Sequence, residues 1–113
     1  RGSSLELYNA FSPNGDGTND VFRVKTQSLL SFRMKIFNRW GQEIVSGDQN
    51  SLTAVHEEDG FTYYVCWDGM YHGRKVEDGV YFILVEAEGS DGIKYVRRGD
   101  INVLTGLRKE GQR

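Results

Sequence analysis

Short glycine-containing turns divide this chain into brief segments, and their spacing limits the folds available to it. The 113-residue sequence has 14 glycines and a single proline. Asn-Gly and Asp-Gly pairs supply the positive φ angles that tight hairpin turns require. The chain is therefore expected to reverse direction often, as in a protein built from β-hairpins. Six of the glycines follow Asn or Asp: Gly15, Gly17, Gly60, Gly69, Gly79 and Gly92.

The segments between these turns alternate between apolar and polar residues. In "FRMKIF", Phe32, Met34 and Ile36 alternate with Arg33 and Lys35. "DVFRVKT" and "FTYYVCW" have the same two-residue period, and no window has the period of an amphipathic helix. "VYFILVEA" is almost wholly apolar, which is typical of a central strand covered on both faces. The pattern predicts an all-β fold, an antiparallel β-sandwich of about seven strands.

Some regions depart from this alternation. The polar stretch "VSGDQNSLTAVHEEDG", Val45–Gly60, predicts a long loop with at most one short turn of helix. Gly99 interrupts the last apolar segment and indicates a bulge or bend. Residues 1–4 and 108–113 are expected to be loose ends of a single domain, residues 1–113, whose core spans about 5–107.

The composition is that of a globular domain and argues against two classes of partner. Apolar residues make up 38% of the chain and charged residues 27%, with a net charge of −2. Such a charge gives no strong attraction to nucleic acid, and no apolar run approaches the ~20 residues of a spanning helix. We therefore expect neither nucleic-acid binding nor membrane insertion. The lone Cys66 has no internal disulfide partner and is expected to be buried beside Trp67.

Residues suited to catalysis are scarce. His56 and His72 lie in predicted loops, and neither belongs to a nucleophile motif. The run from His56 to Asp59 could form a metal cluster or a solvated acidic loop, and charge runs usually face water. The glycines at 15 and 17 lack the Lys-Ser or third glycine of a phosphate-binding loop. We therefore expect a protein that is not an enzyme.

The stretch "FSPNGDGTNDVF", Phe11–Phe22, allows two interpretations. Oxygen-bearing side chains occupy alternate positions in it, and calcium loops often place Asp or Asn at every second position. The stretch has only two carboxylates at these positions and lacks the downstream bidentate Glu of an EF-hand. Asn and Asp side chains can instead bond to their own backbone in successive turns, which is the favoured interpretation. The predicted calcium ligands, with calcium as the only candidate cofactor, are Asn14, Asp16, Thr18 and Asp20.

Several longer motifs follow one another in a characteristic order. They are "NAFSPNGDGTNDVF", "FRMKIFNRWGQEIV", "CWDG", "HGRKVEDGVYFILVEA" and "RRGDINVL". Together they resemble the gliding-motility-associated C-terminal domain family, the type B sorting domain of the type IX secretion system. The resemblance runs from about Asn9 to Leu104. The segment Val45–Cys66 is longer than the usual link in that family, so recognition through it is either absent or specific to this protein.

The resemblance implies an immunoglobulin-like sandwich that acts as an export signal rather than in chemistry. Its partners would be the outer-membrane type IX secretion machinery and preceding cargo domains of the same polypeptide. The parent protein would pass through the periplasm to the cell surface or the medium. The alternative is a calcium-stabilised adhesion or carbohydrate-binding sandwich on a surface protein. The positions that match the family motifs are Pro13–Asp20, Asn38–Gly41, Trp67–Gly69, Gly79 and Tyr81, with structural turns at Asp68, Gly69, Asp78 and Gly79.

The motif Asn38-Arg39-Trp40-Gly41 is the candidate recognition site. An exposed guanidinium beside Trp40 offers a fork of donors and a flat face to a receptor. Alternatively, Arg39 and Trp40 lock a turn, with the Trp40 ring plugging one end of the sandwich. The second, structural role is the favoured interpretation from the sequence.

Overall fold

Two β-sheets packed face to face form the body of the protein. The computed structural model describes residues 2–15, 17 and 20–104. None of these residues forms a helix of the length and apolarity needed to cross a membrane. Their strands are β1 (Ser4–Leu7), β2 (Ala10–Phe11), β3 (Phe22–Gln27), β4 (Leu29–Phe37), β5 (Glu43–Asp48), β6 (Thr53–His56), β7 (Thr62–Trp67), β8 (Met70–Tyr71), β9 (Arg74–Lys75), β10 (Gly79–Gly89) and β11 (Lys94–Val103).

The sheets contain four and five strands. The first has the order β1-β3-β7-β6, the second has the order β2-β11-β10-β4-β5, and β8 and β9 form a separate small hairpin. All pairings are antiparallel except that of β2 with β11. The prediction of an all-β sandwich is confirmed. The described residues form eleven strands rather than about seven, because β2, β8 and β9 have two residues each and the predicted long loop contributes others.

Alternating side chains of β3, β4, β7 and β10 fill the space between the sheets. On β4, Phe32, Met34 and Ile36 are buried while the intervening charged residues are exposed. The ring of Phe32 stacks on Tyr64 of the opposite sheet, with centroids 4.5 Å apart and planes 7° from parallel. This contact joins the sheets near the middle of the sandwich. Cys66 and Trp67 are buried as predicted.

Strand β10 is central in its sheet but is covered on one face only. Ile83 and Val85 point inward and are buried. Val80 and Phe82 point outward and keep 42% and 40% of their surface exposed. The prediction that this strand is covered on both faces is therefore wrong, because the sandwich has no third layer among the described residues.

The prediction of a long loop at Val45–Gly60 is wrong, because this segment forms strands that lie in different sheets. Strand β5 pairs with β4 in the five-stranded sheet, and β6 pairs with β7 in the four-stranded sheet. Asp48 holds the turn between them, since its Oδ1 accepts the backbone N–H groups of Asn50 at 2.9 Å and Ser51 at 3.1 Å. Both are edge strands, which need only one pairing neighbour and bury little surface.

Gly99 does not form a bulge. It pairs directly with Ile83, and the β10–β11 register continues without a shift on either side. A Cβ atom at this position would lie 3.2 Å from Leu7 Cδ1 of the other sheet. The glycine therefore allows close packing of β1 on β11, which contradicts the predicted bulge or bend.

The start of the described chain is held against the β10–β11 turn. Asp91 accepts hydrogen bonds from the Ser3 backbone N–H and from the Ser3 hydroxyl, both at 2.8 Å. The same hydroxyl lies 2.6 Å from the Tyr95 hydroxyl. Ser4 already belongs to β1. Ser3 and Ser4 are therefore not loose, in contrast to the expectation for residues 1–4.

Because of these contacts, we expect the stability of the protein to depend on pH through the ionisation of the Asp91 carboxyl. The backbone N–H of Ser3, followed by its hydroxyl, holds the pKa of the Asp91 carboxyl below its ordinary value. The stabilisation is therefore complete above the unfolded-state pKa of about 3.9 and is lost as the pH falls through the lower folded-state pKa.

Asp91→Asn should reduce the loss of stability between neutral pH and pH 2, as measured by urea unfolding at a series of pH values. Asp100→Asn is the control, since it removes an exposed carboxylate from a strand without such contacts. Parallel stability curves for wild type and Asp91→Asn would show that the contacts do not contribute.

Candidate recognition site

The turns and loops of the sequence motifs lie at one end of the sandwich, which we call the motif end. Gly79 and Phe11 both pair with Val103. The loop between β2 and β3, residues 12–21, is called the opening loop. In the other sheet, Phe22, which follows this loop, pairs with Trp67. The β4–β5 turn, the β9–β10 loop and the β8–β9 hairpin extend from the same end. The opposite end carries Ser4 and the β3–β4, β5–β6, β6–β7 and β10–β11 connections.

An aromatic cluster closes the motif end from inside. The ring of Phe11 lies 5.9 Å from Phe22 and 5.4 Å from Trp67, centroid to centroid. Tyr81 packs edge-on against Trp67 at 5.2 Å and donates its hydroxyl to the Glu77 carbonyl. These residues come from both sheets, so the cluster joins the sheets where the motif loops begin.

The opening loop packs on the turn at Asp68 and Gly69. Pro13 is buried, and its carbonyl accepts a hydrogen bond from Lys75 Nζ at 3.0 Å. A Cβ atom on Gly69 would lie 2.8 Å from Pro13 Cγ, and Gly69 has a φ of +82°. Only glycine meets both conditions without displacing the loop. Asp68 completes the turn by accepting the Met70 backbone N–H at 3.0 Å.

The side chain of Asp20 stabilises the opening loop by bonding to backbone groups of the same loop. Its two carboxylate oxygens accept the backbone N–H groups of Gly15 at 2.9 Å and Gly17 at 2.7 Å. Two predicted calcium ligands, Asp16 and Thr18, lie outside the described residues. Asn14 and Asp20 are described, but the calcium site stays a prediction.

The side chain of Asn38 organises the β4–β5 turn. Its Oδ1 accepts the backbone N–H groups of Trp40 and Gln42, both at 3.0 Å, and its Nδ2 donates to Gln42 Oε1. Gly41 has a φ of +81° and donates its N–H to the Asn38 carbonyl. Asn38 and Gly41 therefore hold the turn through their own backbone and amide contacts.

Arg39 and Trp40 point out of this turn. Trp40 keeps 75% of its surface exposed, so its ring does not plug the sandwich end, and that structural role is wrong for this side chain. The Arg39 guanidinium stacks 4.4 Å above the Trp40 ring. The pair forms a flat, cationic plate on the surface. A shallow depression separates it from Asp78 of the β9–β10 loop and from Gly79 and Val80 at the start of β10.

Tyr81 lies where the β4–β5 turn meets the β9–β10 loop, since it lines the same depression as Arg39 and Glu77. Burial raises the pKa of its hydroxyl, the Glu77 carboxylate acts in the same direction, and Arg39 acts in the opposite one. The β9–β10 loop and the β4–β5 turn therefore form one surface. The sequence motifs indicated Tyr81. Lys75 and Glu77 also lie within the motif "HGRKVEDGVYFILVEA", but neither was predicted as a site residue.

Cys66, His56 and His72 have separate surroundings within the described structure. Burial raises the pKa of the Cys66 thiol to about 12, so the reactive thiolate is scarce at neutral pH. His56 contacts the Thr62 hydroxyl at 3.0 Å, and His72 stacks on Tyr71 in the β8–β9 turn. Within the described part of the chain, no three His, Cys, Asp or Glu side chains are grouped to hold a metal ion.

Truncation of Asn38 and truncation of Trp40 should change the free energy of unfolding by different amounts. Asn38→Ala removes the acceptor for two backbone N–H groups and should lower the free energy of unfolding by about 1–2 kcal/mol. Trp40→Ala removes an exposed ring and should change it by less than about 0.5 kcal/mol. Urea unfolding of both variants measures the difference. Equal losses would show that Trp40 supports the fold after all.

A calcium site predicts a second measurable effect. Calcium that binds only the folded chain would raise the melting temperature, with ~2.7 kcal/mol of added stability at a hundredfold excess over Kd. Melting curves of metal-stripped protein with calcium, magnesium or chelator provide the test, and Asp20→Asn should abolish any calcium-specific rise. An unchanged melting temperature at millimolar calcium would contradict the site.

Comparisons with known proteins identify the family. The model of the CHU_C Type IX secretion signal domain matches residues 5–103. The crystal structure of CopC from Methylosinus trichosporium OB3b is similar in fold, with a TM-score of 0.51 at 13% sequence identity over 89% of each chain. No curated protein sequence matches the chain. Because the family model covers nearly all of the described fold, the chain belongs to the CHU_C Type IX secretion signal domain family.

Proposed function

We propose that this domain is a folded, non-catalytic export signal that sends the protein attached to it across the outer membrane. The family match over residues 5–103 carries the proposal. The type IX secretion machinery would be its partner. The parent protein would pass through the periplasm to the cell surface or the medium.

The geometry of the sandwich supports a signal that is recognised in the folded state. Strand β10 runs between the two ends, from Gly79 to Gly89, which is about 33 Å at the usual rise per residue of a strand. Ser4 lies at the end opposite the motifs. A cargo domain preceding this chain would therefore leave the motif end clear for a receptor.

We further propose that Arg39 and Trp40 contact the receptor. Asn38 and Gly41 hold the turn, so these two side chains are exposed without being needed to maintain its shape. Exposed Trp and Arg side chains on a rigid turn are the residue types that dominate binding energy at protein interfaces. The stacked plate can offer both an apolar face and guanidinium donors to carboxylates.

An export assay tests the sorting role. The 113-residue chain is fused behind a Sec signal peptide and a fluorescent reporter, in a host with the type IX machinery. We expect the reporter to leave the periplasm, and to remain there when the machinery is deleted. Retention of a correctly folded fusion in a host known to export this family would contradict the proposal.

The same fusion tests the receptor contact. Arg39→Ala with Trp40→Ala should reduce export by about tenfold or more while the melting temperature stays near that of the wild type. The matched control is Lys94→Ala with Leu30→Ala, which removes one cation and one exposed apolar side chain at the opposite end. Equal losses of export from both double variants would show that the motif end is not the recognised surface.

A further inference from the structure

The outer face of the five-stranded sheet carries an apolar strip near the motif end. It consists of Val80, Phe82 and Leu84 on β10 and Phe37 on β4, which pairs with Phe82. All four side chains are partly or largely exposed. Such a strip on a soluble surface indicates a contact site when it is contiguous.

The strip occupies only half of β10. Further along the same face, the outward positions are Glu86 and Glu88. Glu86 forms an ion pair with Arg33 at 2.8 Å. This half of the face is therefore mixed, since Val96, the neighbour of Glu86 on β11, is also exposed.

Charged residues flank the strip in two rows of opposite sign. In the row at Leu84, the neighbours on β4 and β11 are Lys35 and Arg98. We call this the cationic row. Both cations are exposed, and each lies beside Leu84, the apolar residue at the centre of the row.

The next row carries the opposite charge. At Phe82, the neighbour on β11 is Asp100, and beyond Phe37 the neighbour on β5 is Glu43. We call this the anionic row. Lys35 and Glu43 approach each other to 3.8 Å, whereas no ion pair joins Arg98 to a described residue.

This arrangement is self-complementary. A two-fold axis lying across the strands at the level of Ile83 would place each strand on the same strand of the other copy, with the row at Leu84 on the row at Phe82. Lys35 would then face Phe37, beside Glu43, which is its ion-pair partner within one copy. Arg98 would then face Asp100 of the second copy, and Leu84 would face Phe82. Val80 would meet Glu86 at the border of the contact, where the twist of the two sheets separates them.

We propose that this face binds a second copy of the same chain in a two-fold symmetric, face-to-face dimer. An isologous contact uses one patch twice, so the patch must be self-complementary, and Arg98 facing Asp100 at two symmetric positions meets this condition. A patch four strands wide and about three rows long covers about 400 Å² on each copy. That area belongs to weak, reversible interfaces, so the dimer should form at high local concentration. The inference does not depend on the proposed export function.

Charge reversal with rescue tests the dimer. Sedimentation equilibrium of the whole chain, up to millimolar concentration, should show a reversible monomer–dimer equilibrium. Arg98→Asp or Asp100→Arg alone should raise Kd by about tenfold, since each change introduces repulsion at two symmetric positions. The double variant R98D/D100R should restore Kd to within about twofold of the wild-type value. Both residues are exposed, and melting curves check that every variant is folded.

Several results would overturn the inference. A chain that stays monomeric at every concentration would do so, as would a double variant that dimerises as weakly as the single variants. If the chain is monomeric and R98D also blocks reporter export, this face binds the export receptor rather than a second copy. Weakening by Leu84→Ser in the absence of any effect of R98D would show that the charged rows do not set the geometry.

Discussion

The packing of the opening loop on the turn at Gly69 is the contact on which the motif end depends. Phe11 belongs to the five-stranded sheet and Trp67 to the four-stranded sheet, and their rings meet inside the sandwich. Pro13 then continues along the outside of the Gly69 turn, at a distance that leaves no room for a side chain there. One short loop therefore fixes the relative position of both sheets at the end where the remaining motif turns begin.

This arrangement separates two roles within single motifs. Asn38 and Gly41 bond within their turn, and the result is a defined backbone from which Arg39 and Trp40 project into solvent. The same division applies to the opening loop, where Asp20 accepts backbone amides and Pro13 is buried. A receptor would thus meet a surface whose shape is maintained from within, which reduces the ordering cost of binding.

Much of the fold follows from local patterns, whereas contacts between distant residues do not. Alternation predicted β3, β4 and β7, and all six glycines after Asn or Asp have positive φ angles. The edge strand β5 escaped prediction because one paired side and little burial leave a weak pattern. The contact of Ser3 with Asp91 joins positions 88 residues apart, and no local pattern encodes it. For the site, the motifs indicated the residues, but only the fold distinguishes exposed Trp40 from buried Trp67.

We infer that the exposed part of the motif end is the surface that the export machinery contacts. Site-specific photo-crosslinking during export tests it directly, with a photoreactive residue at Trp40 and a matched one at Leu30, which is 65% exposed at the opposite end. We expect crosslinks from position 40 to outer-membrane components of the machinery, and none from position 30. Crosslinks from position 30 alone, or equally from both positions, would contradict it.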